Sequence, residues 1–179
     1  MKKIIKPIVY LLVGIILRSC YIDYSGQEYL VEAQNKEEFI TFDIAGSMLQ
    51  LKNGVSDEAK EVLQTVKKIN IAVLPIADNE ENYDKEKSKL KKIEKKPAYK
   101  QLIRVSDSGS KINIYYTGEG DSVNEVVVFG YGKEIGVGIA RILGDKMKPS
   151  KIVEVMKELK VDKDSELINA LKKVFEKRN

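Results

Sequence analysis

The chain has 179 residues, and its composition of 43% apolar and 32% charged residues is that of one ordinary globular domain. It has no histidine and a single cysteine, which excludes Ser-His-Asp and Cys-His catalysis, histidine-ligated metals and an intrachain disulfide. The net charge of +4 comes entirely from residues 1–20, so the rest of the chain lacks the basic footprint of a nucleic-acid-binding domain, and we expect no nucleic-acid partner.

Residues 1–19 have the layout of a secretory signal peptide. They contain no acidic residue and four basic ones: Lys2, Lys3, Lys6 and Arg18. Removing these four from the 31 Lys and Arg leaves 27 basic residues against 27 acidic ones. The apolar run from Ile8 to Leu17 is about half as long as the roughly 20 residues of a transmembrane helix, so we expect an export signal and not a membrane span.

The segment Leu17-Arg18-Ser19-Cys20 resembles a bacterial lipobox, in which Leu17 and Ser19 match and Arg18 stands where a small or uncharged residue is usual. The resemblance implies cleavage before Cys20, with lipid attached to its thiol and to its new amino group. Acyl chains hold a protein on a bilayer through about 0.8 kcal/mol per buried CH₂. The alternative is an ordinary signal peptide or an uncleaved anchor, with Cys20 incidental.

The lipobox resemblance predicts an exported protein of the bacterial cell envelope, at the outer membrane or on the periplasmic face. The absence of Asp directly after Cys20 favours the outer membrane. Residues 20–37 are polar, and we expect a lipid-anchored tether there, which leaves residues 38–179 as a single domain.

The first half of that domain is expected to alternate strands and helices. The β-prone segment 39–44 predicts a strand, and Ser56 is the expected cap of an amphipathic helix over residues 57–68. The apolar, β-branched run 69–76 predicts a second strand. A Lys- and Glu-rich helix is then expected from residue 80 to 96, ended by Pro97.

That helix carries a basic cluster: Lys85, Lys87, Lys89, Lys91, Lys92, Lys95 and Lys96. Such a cluster is compatible with binding of nucleic acid or anionic lipid. The interleaved acids favour the simpler interpretation of a solvated helix face. These acids are Glu80, Glu81, Asp84, Glu86 and Glu94.

From residue 101 the apolar period changes to two, which predicts strands over 101–106, 111–117, 123–129 and 135–143. Their short, Gly-rich connections join antiparallel neighbours. Helices are predicted from Pro149 to about residue 159 and over 164–177. The predicted fold class is α+β: an antiparallel meander sheet with helices packed mainly on one face, in two layers.

Four strand and turn motifs follow one another in the second half of the chain: Tyr99-x-x-Leu102-Ile103-Arg104-Val105-x-Asp107, Lys111-Ile112-x-Ile114-Tyr115, Val123-Asn124-Glu125-Val126-Val127-Val128 and Ile142-x-Gly144. Their order and spacing resemble the DUF4252 family, and the resemblance covers roughly residues 38–160. The resemblance implies a small exported protein, often lipid-anchored, of Bacteroidetes-type bacteria. The family has no established function and supplies no catalytic residues.

No catalytic, cofactor-binding or metal-ligating constellation is visible in the sequence, so we expect neither an enzyme nor a cofactor. The favoured hypothesis is a lipid-anchored envelope protein that binds a protein or peptide partner. A carrier of a small apolar ligand or lipid, held between sheet and helices, is the alternative, and it requires an internal cavity. A hydrolase that uses carboxylates alone is the third hypothesis, and it requires two acids in one cleft.

Overall fold

The computed structural model describes residues 24–49, 56–76, 80–107, 109–120, 122–132 and 136–158. Six strands form one sheet in the order β1-β2-β6-β5-β4-β3, and every neighbouring pair is antiparallel. The strands are β1 Ile40–Ala45, β2 Val66–Leu74, β3 Lys100–Asp107, β4 Ser110–Thr117, β5 Val123–Gly132 and β6 Gly136–Met147. The helices are α1 Gly26–Gln34, α2 Gly46–Leu49, α3 Asp57–Thr65, α4 Glu80–Glu94 and α5 Pro149–Glu158.

The predicted α+β class and the meander are confirmed. Strands β3 to β6 follow one another across the sheet, joined by short turns, as the Gly-rich connections predict. The two N-terminal strands extend the sheet on the far side of β6, where β2 pairs antiparallel with β6 from Leu74↔Val137 to Val66↔Gly144.

Helices lie on both faces of the sheet, whereas the sequence predicts packing mainly on one. Strand β5 shows the reason, because Val127 and Phe129 point into one core and Val126 points into the other. A strand that is apolar on both sides needs cover on both sides. Helices α1 and α4 cover the face of Val127, and α3 and α5 lie on the face of Val126.

Part of the expected tether is a packed helix. Ser25 caps α1 in a capping box with Glu28, and Tyr29, Leu30 and Ala33 are buried against the sheet. Burial of a side chain the size of Leu30 stabilises the fold by roughly 1.5–3 kcal/mol, so these anchors pack the helix although the rest of the segment is polar. The packed domain therefore begins by Tyr24, and not at residue 38.

The helix expected over residues 57–68 ends at Thr65, three residues early. Val66, which has the helical spacing of Val62, starts β2 instead and pairs with Gly144 of β6. The β-branched Val66 is buried in the sheet, so sheet packing decides the boundary. The predicted helix over 164–177 lies outside the described residues.

Candidate functional site

A groove of about 500 Å³ lies between α4 and the β3–β4 hairpin. Its volume falls within the usual range of ligand pockets. The lining side chains are largely cationic or aromatic: Tyr83, Lys87, Lys91, Glu94, Lys95, Arg104, Ser106, Lys111, Asn113, Tyr115 and Tyr131, with Gly109 in the hairpin turn. We call this site the basic groove.

The helix wall of the basic groove is a stripe with a period of four residues. Tyr83, Lys87, Lys91 and Lys95 succeed one another along α4 and the turn that follows it, so their side chains lie one above the other. Successive lysines are spaced by about 6 Å along the helix axis. Leu90 and Ile93 are buried against the sheet and hold the helix in this orientation.

The sheet wall is built by strand register. Arg104 on β3 pairs with Asn113 on β4, and Ser106 pairs with Lys111, so all four side chains share the face that α4 covers. The basic groove therefore receives cations from both walls: three lysines from the helix side, and Arg104 and Lys111 from the hairpin.

Glu94 is the one carboxylate among the lining residues of the basic groove. Its Oε1 accepts hydrogen bonds from Asn113 Nδ2 at 2.7 Å and from the Tyr115 hydroxyl at 2.6 Å. Its Oε2 accepts from the Tyr131 hydroxyl at 2.8 Å. Burial, with the nearby negative charge of Glu94, raises the pKa of Tyr131 above its usual value, and burial with the bond to Glu94 raises the pKa of Tyr115. Both hydroxyls therefore stay protonated as donors to this carboxylate.

Aromatic packing orients one of these donors. The Tyr115 ring meets Phe129 edge to face with centroids 5.7 Å apart, and Tyr99 meets Tyr115 in the same way at 6.4 Å. These contacts restrict the Tyr115 ring, so its hydroxyl is held toward Glu94.

The acids that alternate with lysines along α4 do not neutralise the groove. Glu86 is almost fully buried on the other side of the helix, where it pairs with Lys36 and Lys89, each at 3.1 Å. None of the ion pairs formed among the described residues involves the five cations of the groove. Lys87 does stack over Tyr83, 4.9 Å from its ring centroid.

The charges that line the basic groove are therefore arranged to bind an anionic group. Five cations face a single carboxylate that is already engaged by three donors. A partner with carboxylate or similar groups would find cations on two walls that form no ion pair among the described residues, although Arg104 already donates a hydrogen bond to Gln101 Oε1 at 3.1 Å. The sequence favours a solvated helix face for the lysine cluster. In the structure Lys85 and Lys92 are exposed on the helix, Lys89 joins the ion-pair network, Lys96 donates a hydrogen bond to the Tyr24 carbonyl oxygen, and the other three form the groove stripe.

The chain was compared with models of known protein families. The model described as "Domain of unknown function (DUF4252)" matches residues 29–155. The chain belongs to the DUF4252 family. No curated protein and no solved structure matched the chain.

The match confirms the family resemblance and moves its start earlier than residue 38, into α1. Every residue that lines the basic groove lies within the matched part, so the groove belongs to the DUF4252 domain itself. The family description names no ligand or reaction. The basic groove is therefore identified as a candidate site from the geometry of this chain alone.

Cys20, the residue predicted to carry the lipid, lies outside the described part of the DUF4252 protein, as do the lipobox positions Leu17 and Ser19. Within the described residues, no helix has the length and apolar character that a membrane crossing requires. Lipid attachment at Cys20 stays a prediction.

A second cavity, of about 290 Å³, lies between α3 and the start of α5. It is lined by acids and bases together: Glu58, Glu61, Lys146, Lys148 and Lys151, with Val62 and Thr65. Because its charges are mixed, this cavity has less attraction for an anion than the basic groove.

Proposed function

We propose that this DUF4252 protein is a non-catalytic binding module of the bacterial cell envelope, anchored to the membrane by lipid on Cys20. In this proposal the basic groove takes an acidic segment of a partner protein. The observation that carries the proposal is the set of five groove cations without an ion pair among the described residues, facing one carboxylate that is engaged by three hydrogen-bond donors.

Clustered like charges cost free energy in the unbound protein, since each cation raises the electrostatic energy of its neighbours. An acidic partner relieves this repulsion on binding and gains charge-assisted hydrogen bonds. The same charges steer diffusional encounter, so the association rate is expected to fall as salt rises. A site of this kind favours charge-selective binding of a partner.

The other two hypotheses have less support. A carrier of an apolar ligand needs an apolar cavity, whereas both cavities described above have charged linings. A carboxylate hydrolase needs two acids in one cleft, and the basic groove offers Glu94 with three donors already bound to it. We therefore keep partner binding as the proposed function.

The lipid anchor is supported by the leader and by the lipobox resemblance at Cys20. Because the packed domain begins by Tyr24, only three residues separate it from Cys20, and the four residue steps from Cys20 to Tyr24 span at most about 14 Å when fully extended. The domain is then held close to the lipid headgroups, in contrast to a domain on a tether that reaches residue 37.

Mass spectrometry of the mature N-terminus tests the anchor. We expect a diacylglyceryl-modified Cys20 as the first residue, and we expect Cys20→Ser to move the protein out of the membrane fraction. An intact leader, or an unmodified N-terminus at Tyr21 or later, would contradict the anchor while leaving the groove untouched.

Reversing the charge of two groove lysines tests whether the basic groove binds the acidic partner. The full chain in a neutral detergent is titrated with a fluorescent peptide of about ten glutamates, and the anisotropy is recorded. The variant Lys91→Glu/Lys95→Glu is expected to lose roughly tenfold or more in affinity, since two attractions become two repulsions. The matched control is Lys85→Glu/Lys92→Glu, which changes the same charge at exposed positions of α4 outside the groove lining.

The affinities of the two double variants show whether the peptide binds in the basic groove. If the control keeps most of its affinity while the groove variant loses it, the site is the groove. Equal losses in both variants would show that peptide binding follows net charge, and the proposed site would be wrong.

A further inference from the structure

Strand β3 forms an open edge of the sheet beside the basic groove. Among the described strands it pairs with β4 alone, so its other side carries backbone N–H and C=O groups without a partner strand. Five residues of β3 have solvent-exposed side chains: Lys100, Gln101, Arg104, Val105 and Ser106. No described segment pairs with this edge, so it is a site where an extended chain can add as a strand.

The two faces of the sheet differ in chemistry at this edge. On the groove face, Arg104 lines the basic groove together with the lysine stripe of α4. On the opposite face, Val105 is directly paired with Ile112, and both are exposed, by 49% and 38%. Only two other large hydrophobic side chains in the described part of the chain are as exposed, Val31 and Met48, and both lie on helices.

We infer that the partner segment is an extended strand of alternating acidic and apolar residues that adds to β3 as the next strand of the sheet. This inference rests on the proposed function and specifies its ligand. In such a strand alternate side chains point to opposite faces. The acidic set then meets Arg104 and the groove lysines, and the apolar set covers Val105 and Ile112.

An added antiparallel strand presents its side chains at a regular spacing. Its alternate residues are about 6.8 Å apart, so acids at every second position all lie on the face of Arg104. Backbone hydrogen bonds to β3 supply affinity that does not depend on sequence, and the two faces supply selectivity. The open edge, the cations on one face and the apolar pair on the other are separate observations, and all three indicate the same ligand.

A second copy of this chain is a poor occupant of the same edge. Pairing β3 with β3 would bring two copies of Arg104 and two lysine stripes together, and like charges at such short range oppose association. The charged edge thus discourages self-pairing and leaves β3 available to a chain of opposite charge.

Two peptides of identical composition test the inference. One alternates glutamate and valine over about nine residues, and the other has the same residues in blocks of two. We expect the full chain to bind the alternating peptide at least about fivefold more tightly, because only that peptide places all its acids on the groove face at once. Equal affinities would overturn the inference.

N-methylation of the alternating peptide tests edge pairing directly. An added strand directs the N–H groups of every second residue toward β3 and the others toward solvent. Methylating one set is therefore expected to abolish binding, while methylating the other set leaves it largely unchanged. If both methylated peptides bind alike, the peptide does not add as a strand.

Variants on the two faces complete the test. Arg104→Gln and Val105→Ser are each expected to weaken the alternating peptide several-fold, whereas Val31→Ser, an equally exposed valine on α1, is expected to have no effect. Loss of binding to the Lys91→Glu/Lys95→Glu variant without any preference for alternation would contradict the strand inference and leave the proposed function standing. Failure of wild type to bind the glutamate, alternating and blocked peptides would overturn both.

Discussion

The Tyr115 hydroxyl donates a hydrogen bond of 2.6 Å to Glu94 Oε1, which ties the last residue of α4 to β4, the neighbour of the edge strand β3. With Asn113 and Tyr131, it engages both oxygens of the one carboxylate that lines the basic groove. The same bonds hold the end of α4, and Glu94 forms no ion pair with the groove cations among the described residues. The hydrogen bonds of Glu94 therefore affect both the stability of the fold and the charge of the basic groove.

Replacing Glu94 by Gln is expected to destabilise the fold by roughly 1–3 kcal/mol, since a Gln side chain cannot accept from all three donors and charge-assisted bonds are lost. Chemical denaturation with urea measures the change. Asp84→Asn, an exposed acid on the same helix, is the control and is expected to change stability by no more than about 0.5 kcal/mol. Equal effects of the two variants would mean that the Glu94 bonds do not hold the helix.

A second network gives the protein a defined acid sensitivity. Hydrogen bonds from Lys36, Lys89 and Tyr24 lower the pKa of Glu32 from 4.5 to about 2. A depressed pKa means that the folded protein holds the charge to lower pH than the unfolded chain does. The stability from this network is present above about pH 4.5 and is lost as the pH falls toward 2.

Thermal unfolding between about pH 5 and pH 3 checks this expectation. Wild type is expected to lose more stability over that interval than Glu32→Gln, by on the order of 1 kcal/mol, because Glu32 is partly solvent-exposed and its ion pairs are screened. The control Glu37→Gln, at an exposed acid outside the network, should follow the wild-type profile. Parallel profiles for wild type and Glu32→Gln would contradict the assignment.

The turn into β6 depends on a glycine. Gly136 has φ +83°, and a Cβ at this position would lie 2.1 Å from the Leu74 carbonyl oxygen. Gly136→Ala is therefore expected to destabilise the protein by about 2–4 kcal/mol, from the left-handed backbone and from the clash with β2.

The matched control for this position is Gly130→Ala, in the same hairpin. A Cβ at Gly130 meets nothing within 4 Å, and its φ lies outside the left-handed range. We expect Gly130→Ala to be neutral or stabilising by up to about 1 kcal/mol, since alanine restricts the unfolded chain. The melting temperatures of the two variants decide the point, and equal values would show that the constraint at Gly136 is absent.

Much of the fold can be predicted from the sequence because its signals are local. The period of two in β4 places Ile112 and Ile114 on one face, and Gly-rich turns of four or five residues specify antiparallel neighbours. Helix α1 was missed because only Tyr29, Leu30 and Ala33 are apolar anchors in a polar segment. The capping box of Ser25 and Glu28 was the readable signal.

The basic groove was harder to predict. The spacing of Lys87, Lys91 and Lys95 is visible in the sequence, but its significance depends on what lies opposite the helix. The alignment of Arg104 with Asn113 comes from β3–β4 register. The engagement of Glu94 in hydrogen bonds depends on tyrosines from two strands, and these are tertiary contacts without a local sequence signal.

The most direct test of the central claim, that the basic groove is the binding site for an acidic partner, is amide chemical-shift mapping. The isotope-labelled full chain is titrated with the peptide of about ten glutamates, and the perturbed amides are assigned. We expect the largest shifts in α4 and in β3 and β4, and we expect them to disappear in Lys91→Glu/Lys95→Glu. Shifts centred on α3 and α5, or no shifts at all, would contradict the account.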